Sequence, residues 1–166
     1  DKDIIKLAAG TTGYSTQYIA KNEETMTNSL LYDLVNQMYT YHADAESPKD
    51  KIFRTESEAI QTLAAKENCV IVGRAADYVL REDPNCLKIF LHADANAKIQ
   101  RIKEREQLSE KEAEKKIAHE EKLRAANYHY YTHRMWGHAG NYDLTLDTAI
   151  GIDHIEQIVR IMLSNE

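Results

Sequence analysis

The feature that most limits the fold is an alternation in the second half of the chain. "CVIVG" at 69–73 reads as a short apolar strand, "AADYVLRE" as a helix, "DPN" as a turn and "LKIFLHA" as a second strand. A charged helical stretch from Ala95 to about Thr132 follows, then strand "YDLTLDT" and helix "DHIEQIVRIML". Strands that alternate with helices are joined by crossovers, so they lie parallel in a sheet with helices on its faces. The expected fold class is therefore α/β, a three-layer parallel sheet with helices on both faces. In such a sheet ligands bind outside the carboxyl ends of the strands, where loops and helix N-termini converge. Gly73-Arg74, His92-Ala93-Asp94 and Asp147-Thr148 reach that edge, and Asp1 to Asp3 would join them if a strand preceded the chain.

The first part of the chain reads as short amphipathic helices: "KDIIKLAA", "STQYIAKNEE", "TNSLLYDLVNQMYTYHA" and "KDKIFRTESEAIQTLAAKE", with turn chemistry at Gly10, Gly13 and Ser47-Pro48. Three strands are a thin sheet for so many helices, which points to a further strand outside the chain. No linker divides the sequence, and 166 residues with 43% hydrophobic content suit one core, so a single domain over 1–166 is expected.

Charge narrows the partners. With 27 acidic against 21 basic residues the net charge is -6, so no basic excess supports nucleic-acid binding. No apolar run is long enough for a membrane helix and the first residues are unlike a signal peptide; a soluble, cytoplasmic protein is the expectation, with no membrane partner and no prediction of oligomeric state. Cys69 and Cys86 lie beside strand-like sequence without a CxxC motif and read as buried free thiols.

Arg74 stands out. A cation at the start of a helix has the wrong sign for the helix dipole and the right sign for holding an anion, with helix N–H groups and a guanidinium fork acting together. Pairing with Asp77 or plain solvation would equally explain it. A second cluster lies in "IQRIKEREQLSEKEAEKKIAHEEKLRAANYHYYTHR", where Arg101 and Arg105 are four apart and Lys115, Lys116, Lys122 and Arg124 follow on the second arm of a helical hairpin. Glu104, Glu106, Glu120 and Glu121 supply partners for an ordinary solvated face, but such a pair of helices also suits a lid over a polyphosphate. His129 and His133 have the spacing of two ligands on a helix with no acidic or cysteine ligand at a telling distance, so no metal site is assigned. Tyr128, Tyr130, Tyr131 and Trp136 either pack on the next strand or stack a base. There is no GxSxG, HExxH or GxGxxG.

In combination these segments resemble a known family. "NCVIVGRAADYVL" followed by "LKIFLHADANAKIQRIKER" is similar to the centre of cytidylate kinases, and more closely to the cytidylate kinase-like proteins. "DKDIIKLAA", "EKLRAANYHYYTHRMWG" and "NYDLTLDTAIGID" match in the same order, so the resemblance spans essentially the whole chain. It implies a P-loop nucleoside-monophosphate kinase fold with a helical lid at about 101–133 and an acceptor-side helical segment at about 10–67. ATP with Mg²⁺ would be the phosphoryl donor and a pyrimidine nucleotide such as CMP or dCMP the acceptor. By the same resemblance Gly73-Arg74 holds the acceptor's phosphate, and Arg101, Lys122 and Arg124 are the catalytic lid cations with Arg105 nearby. Asp1 corresponds to an acidic residue after the second strand, Arg54 to an acceptor-side arginine, and Asp147-Thr148 to the segment beside the adenine. Ala75 stands where cytidylate kinases carry Asp, with Asp77 as the available replacement. The glycine-rich phosphate loop of that family is not in the sequence and is expected, with the first strand, upstream of Asp1. A non-catalytic nucleotide-binding or regulatory protein, and a kinase for another small acceptor, are the other readings that the residues leave open.

Overall fold

The computed structural model describes residues 2–17, 19 and 47–164. The helices read at 27–43, and most of that at 15–24, lie outside the described residues, as does Asp1.

Helix α1 (Lys2–Thr12) buries Ile4 and Ala8, four residues apart, and continues through Gly10, where the sequence suggested a turn. It stops at Gly13, which takes a φ of +75° and donates its N–H to the Ala9 carbonyl at 3.1 Å. Helix α2 (Pro48–Lys66) starts where Ser47-Pro48 predicted. The Ser47 hydroxyl accepts from the Asp50 N–H at 3.2 Å, and proline needs no amide partner in the first turn. Ile52, Thr55, Glu56, Ala59 and Ile60 are its buried residues, spaced as one helical face, and that face packs on α1. Two small cores result: Ile4, Ala59, Ile60 and Ala76, joined by Leu63, Ile71, Val79 and Leu80; and Ala8, Ile19 and Ile52, joined by Ile5, Ala9 and Tyr14.

Residues 68–72 form no ladder with any described residue, so the expected first strand is absent there. Alternation still operates, since Ile71 packs on the core while Val70 and Val72 are 91% and 68% exposed. A strand is stabilised by its neighbours' hydrogen bonds as well as by its own apolar residues, and no described residue lies alongside as a neighbouring strand. Cys69 is exposed for the same reason and Cys86 is half-buried; both are free, but neither is the buried thiol expected. The helix read from "AADYVLRE" shrinks to α3 (Ala76–Val79), a single turn: Arg74 and Ala75 before it take left-handed backbone conformations, with φ of +56° and +50°, and Leu80, at φ −101° and ψ 21°, ends it. So short a helix has little dipole, which removes that part of the argument for an anion at its start.

Strands β1 (Ile89–His92) and β2 (Leu144–Asp147) pair in parallel, from Ile89 opposite Leu144 to His92 opposite Asp147. Among the described residues the sheet has these two strands, not three, and the structure is mixed α/β and mostly helical. Phe90 of β1 packs edge-on against Trp136, with centroids 5.5 Å apart, and against Tyr142 at 5.0 Å. Gly137, at φ +73°, lies where an added Cβ would come within 3.0 Å of the Phe90 ring.

The charged stretch folds as a hairpin. Helix α4 (Ala95–Glu106) is capped by Asp94, whose carboxylate accepts from the Ala97 N–H at 2.9 Å, and it ends at Gln107 in the left-handed region. Helix α5 (Glu110–Thr132) begins with a capping box between Ser109 and Glu112. Ion pairs cross the hairpin from Lys98 to Glu121 (2.6 Å), Glu106 to Lys116 (2.6 Å) and Lys103 to Glu110 (3.4 Å). Helix α6 (Ile152–Ser164) buries Ile155 and leaves Ile152, Ile161, Met162 and Leu163 exposed. No helix among the described residues is long and apolar enough to cross a membrane.

Candidate functional site

The carboxyl ends of β1 and β2 place His92 beside Asp147, and both strands run into acidic residues that organise the next turn. Asp94 caps α4, and Asp147 accepts from the Ala149 N–H at 2.9 Å to start a short 3₁₀ turn, Thr148–Ile150. Arg101, nearly two turns into α4, reaches across the edge, its Nη2 donating to Thr148 Oγ1 at 3.4 Å. Arg101, Asp147 and Thr148, forecast separately from the lid and from the last strand, therefore meet at one edge of the sheet. The contact ties the base of the hairpin to the strand end.

The other hairpin cations are disposed differently. Arg105 pairs with Glu106 at 2.8 Å and Arg124 with Glu120 at 3.2 Å, both on the exposed surface. Lys122 is exposed. The Lys116 ammonium, with Arg105 second, holds the Glu106 carboxyl below its usual range. Much of the charge run is thus an ordinary zipper of pairs.

A second grouping surrounds the Gly73-Arg74 turn. Gly73, at φ +77°, opens it, and Arg74 Nη1 forms an ion pair with Glu56 Oε1 in which each side chain is only 5% exposed. Asp77, the suggested partner of Arg74, instead accepts a 2.6 Å hydrogen bond from the Tyr128 hydroxyl. Tyr128 is buried, and that burial, reinforced by Asp77, raises its pKa above the usual phenol value; burial raises Tyr142 as well, with Asp77 second. The Tyr78 ring is flanked by the Arg81 and Arg134 guanidinium carbons, 4.3 and 5.3 Å from its centroid. The end of α5 is fixed further by Tyr131, stacked on Phe53 of α2 at 3.9 Å, so these tyrosines serve packing. Arg54 is exposed and pairs with Glu58 at 3.0 Å, four residues on.

The sequence reading missed Glu56. Its signal was positional: it occupies the apolar stripe of α2 between Ile52 and Ile60, where an acid needs a buried cation as partner.

No curated protein matches this chain. A crystal structure of an uncharacterized protein from Eubacterium ventriosum ATCC 27560 shares its fold at a TM-score of 0.67 and 24% identity, over 82% of this chain and 91% of that one. The sequence model of the cytidylate kinase-like family matches residues 1–150. With nine-tenths of its length matched, the chain belongs to the cytidylate kinase-like family.

Proposed function

We propose that this protein is an ATP-dependent phosphotransferase that moves the γ-phosphoryl group of ATP to a nucleoside monophosphate, with CMP and dCMP the first acceptors to try. The observation that carries the reading is the meeting of Arg101 with Thr148 at the carboxyl edge of the parallel strands, in a chain of this family. Phosphoryl transfer asks a protein mainly for positioning and charge neutralisation, which a cation on a helical hairpin above a sheet edge can provide.

In this scheme Asp147 and Thr148 lie beside the adenosine end of ATP, and Arg101 spans from them toward the phosphates. Lys122, Arg124 and Arg105 are the further hairpin cations, of which the last two must exchange their glutamate partners for phosphate oxygens. Arg74 takes the acceptor's phosphate, Gly73 gives its turn the freedom to move, and Asp77 with Tyr128 anchors the hairpin's far end. Arg54 and Asp1 complete the acceptor side. An oxygen of the acceptor phosphate attacks the γ-phosphorus, the bond to the β–γ bridging oxygen breaks, and ADP departs. Mg²⁺ enters as part of the MgATP substrate; among the described residues no three His, Cys, Asp or Glu side chains gather as a metal site.

The test is acceptor-dependent ADP formation by the natural full-length protein with MgATP and CMP, dCMP, UMP or unrelated acceptors. Stimulation by a nucleoside monophosphate supports the enzyme. Saturable nucleotide binding without turnover would replace it with a regulatory binder. Intact mass and N-terminal sequencing of that protein test separately for the glycine-rich extension.

A further inference from the structure

The Arg74 guanidinium is already occupied by a carboxylate, in a pair that solvent scarcely reaches. A phosphate that is to take the Nη1 donor must displace Glu56 from it. We propose that Glu56 is an internal competitor for the acceptor's phosphate and so sets which acceptors bind; the inference rests on Arg74 being the acceptor's cation, as in the proposed function.

Three observations bear on how the competition works. The first is rigidity on the carboxylate's side: Glu56 projects from the middle of α2 among Ile52, Ala59 and Ile60, all buried. The second is strain on the arginine's side, where Gly73, Arg74 and Ala75 follow one another at φ of +77°, +56° and +50°. Residues with a side chain hold that conformation only when their surroundings impose it. The buried ion pair supplies such a constraint, so the turn, not the helix, moves when the pair breaks. The third is glycine at the turn's first position, where rotation costs least and an added Cβ would meet nothing within 4 Å.

The chemistry of the displacing ligand follows. Glu56 offers one negative charge, whereas a phosphomonoester carries about −1.5 to −2 at neutral pH and three acceptor oxygens. A nucleoside hydroxyl offers no charge and cannot displace the carboxylate. The pair therefore selects phosphorylated acceptors over nucleosides. When the turn opens, water reaches Glu56 and hydrates the charge left behind.

The experiment compares the unmutated full chain with Glu56→Gln, which keeps shape and removes the competing charge. Titrations with CMP, cytidine and inorganic phosphate are followed by calorimetry. CMP and phosphate should bind the variant about tenfold tighter, because a larger fraction of the protein is open, while cytidine does not change. In parallel, carboxylates of the unmutated protein are labelled with a carbodiimide and an amine and mapped by mass spectrometry. Glu56 should be protected in the free protein and labelled at saturating CMP, a measurement that stands even if the variant does not fold. A purely structural pair would lower stability without tightening CMP. The proposal is overturned by unchanged or weaker CMP binding in a folded Glu56→Gln protein, by Glu56 staying protected at saturation, or by both proteins failing to bind CMP and phosphate. If phosphate binds and exposes Glu56 but no acceptor is phosphorylated, the competition stands and the kinase reading falls.

Discussion

Replacing Glu56 by Ala would take away the carboxylate that the buried Arg74 guanidinium pairs with. Both side chains are 5% exposed, so the charge left behind has neither solvent nor its Glu56 partner to compensate it. Breaking a buried pair from one side costs about 3–5 kcal/mol, whereas an exposed pair such as Arg54–Glu58 contributes about 0–1 kcal/mol. Against a native stability of about 5–15 kcal/mol, the larger loss is a third or more of the total for most proteins of this kind. The double variant Glu56→Leu with Arg74→Met removes both charges and fills the space, so it should lie near the unmutated protein or above it. Urea unfolding of the unmutated protein, Glu56→Leu, Arg74→Met and the double variant gives the coupling energy, with Glu56→Ala measured beside them. A loss below about 1 kcal/mol for Glu56→Ala, or a double variant as unstable as the sum of its parts, would refute the buried-pair reasoning.

Other outcomes follow from the same geometry. Tyr128→Phe removes a hydrogen bond to the Asp77 carboxylate and should cost about 1.5–3 kcal/mol, a fall in Tm of about 3–12 °C by calorimetry. Tyr128 and Tyr142 have raised pKa values when folded, so their stabilisation is complete below the unfolded phenol value of 10.0 and is lost as pH rises beyond it; stability against pH should fall on that alkaline side, less steeply in Tyr128→Phe. Ala75→Gly at φ +50° relieves a left-handed alanine and should stabilise the protein by about 1 kcal/mol in urea unfolding. Arg101→Ala should lower kcat/KM for ATP by about tenfold or more, as loss of one charge-assisted contact does. An unchanged value in an assay with a working acceptor would remove Arg101 from the donor site.

The parts of the fold that were legible in the sequence are those whose determinants are local. β1 carries a short apolar run and β2 an apolar alternation of its own, and Asp94 and the Ser109–Glu112 box mark where the hairpin's helices start. Residues 68–72 have equal apolar character but depend on a neighbouring strand, which local pattern cannot supply. The helix after Arg74 was overestimated because its start after left-handed Ala75 and its stop at Leu80 are tertiary outcomes that propensity does not announce. At the site, parallel topology put Thr148 at the ligand edge, but the approach of Arg101 to it is seen only in the structure. The partner of Arg74 was not legible either, because an acidic residue in an amphipathic helix is read as surface, and Glu56 is recognisable as buried only from its register with Ile52, Ala59 and Ile60.

The most direct test of the central claim is a chromatographic assay of the natural full-length protein incubated with MgATP and each nucleoside monophosphate. The account predicts ADP and the matching nucleoside diphosphate in equal amounts, with CMP or dCMP among the acceptors consumed. ATP that stays intact across the whole acceptor panel, with a correctly folded protein, would contradict it.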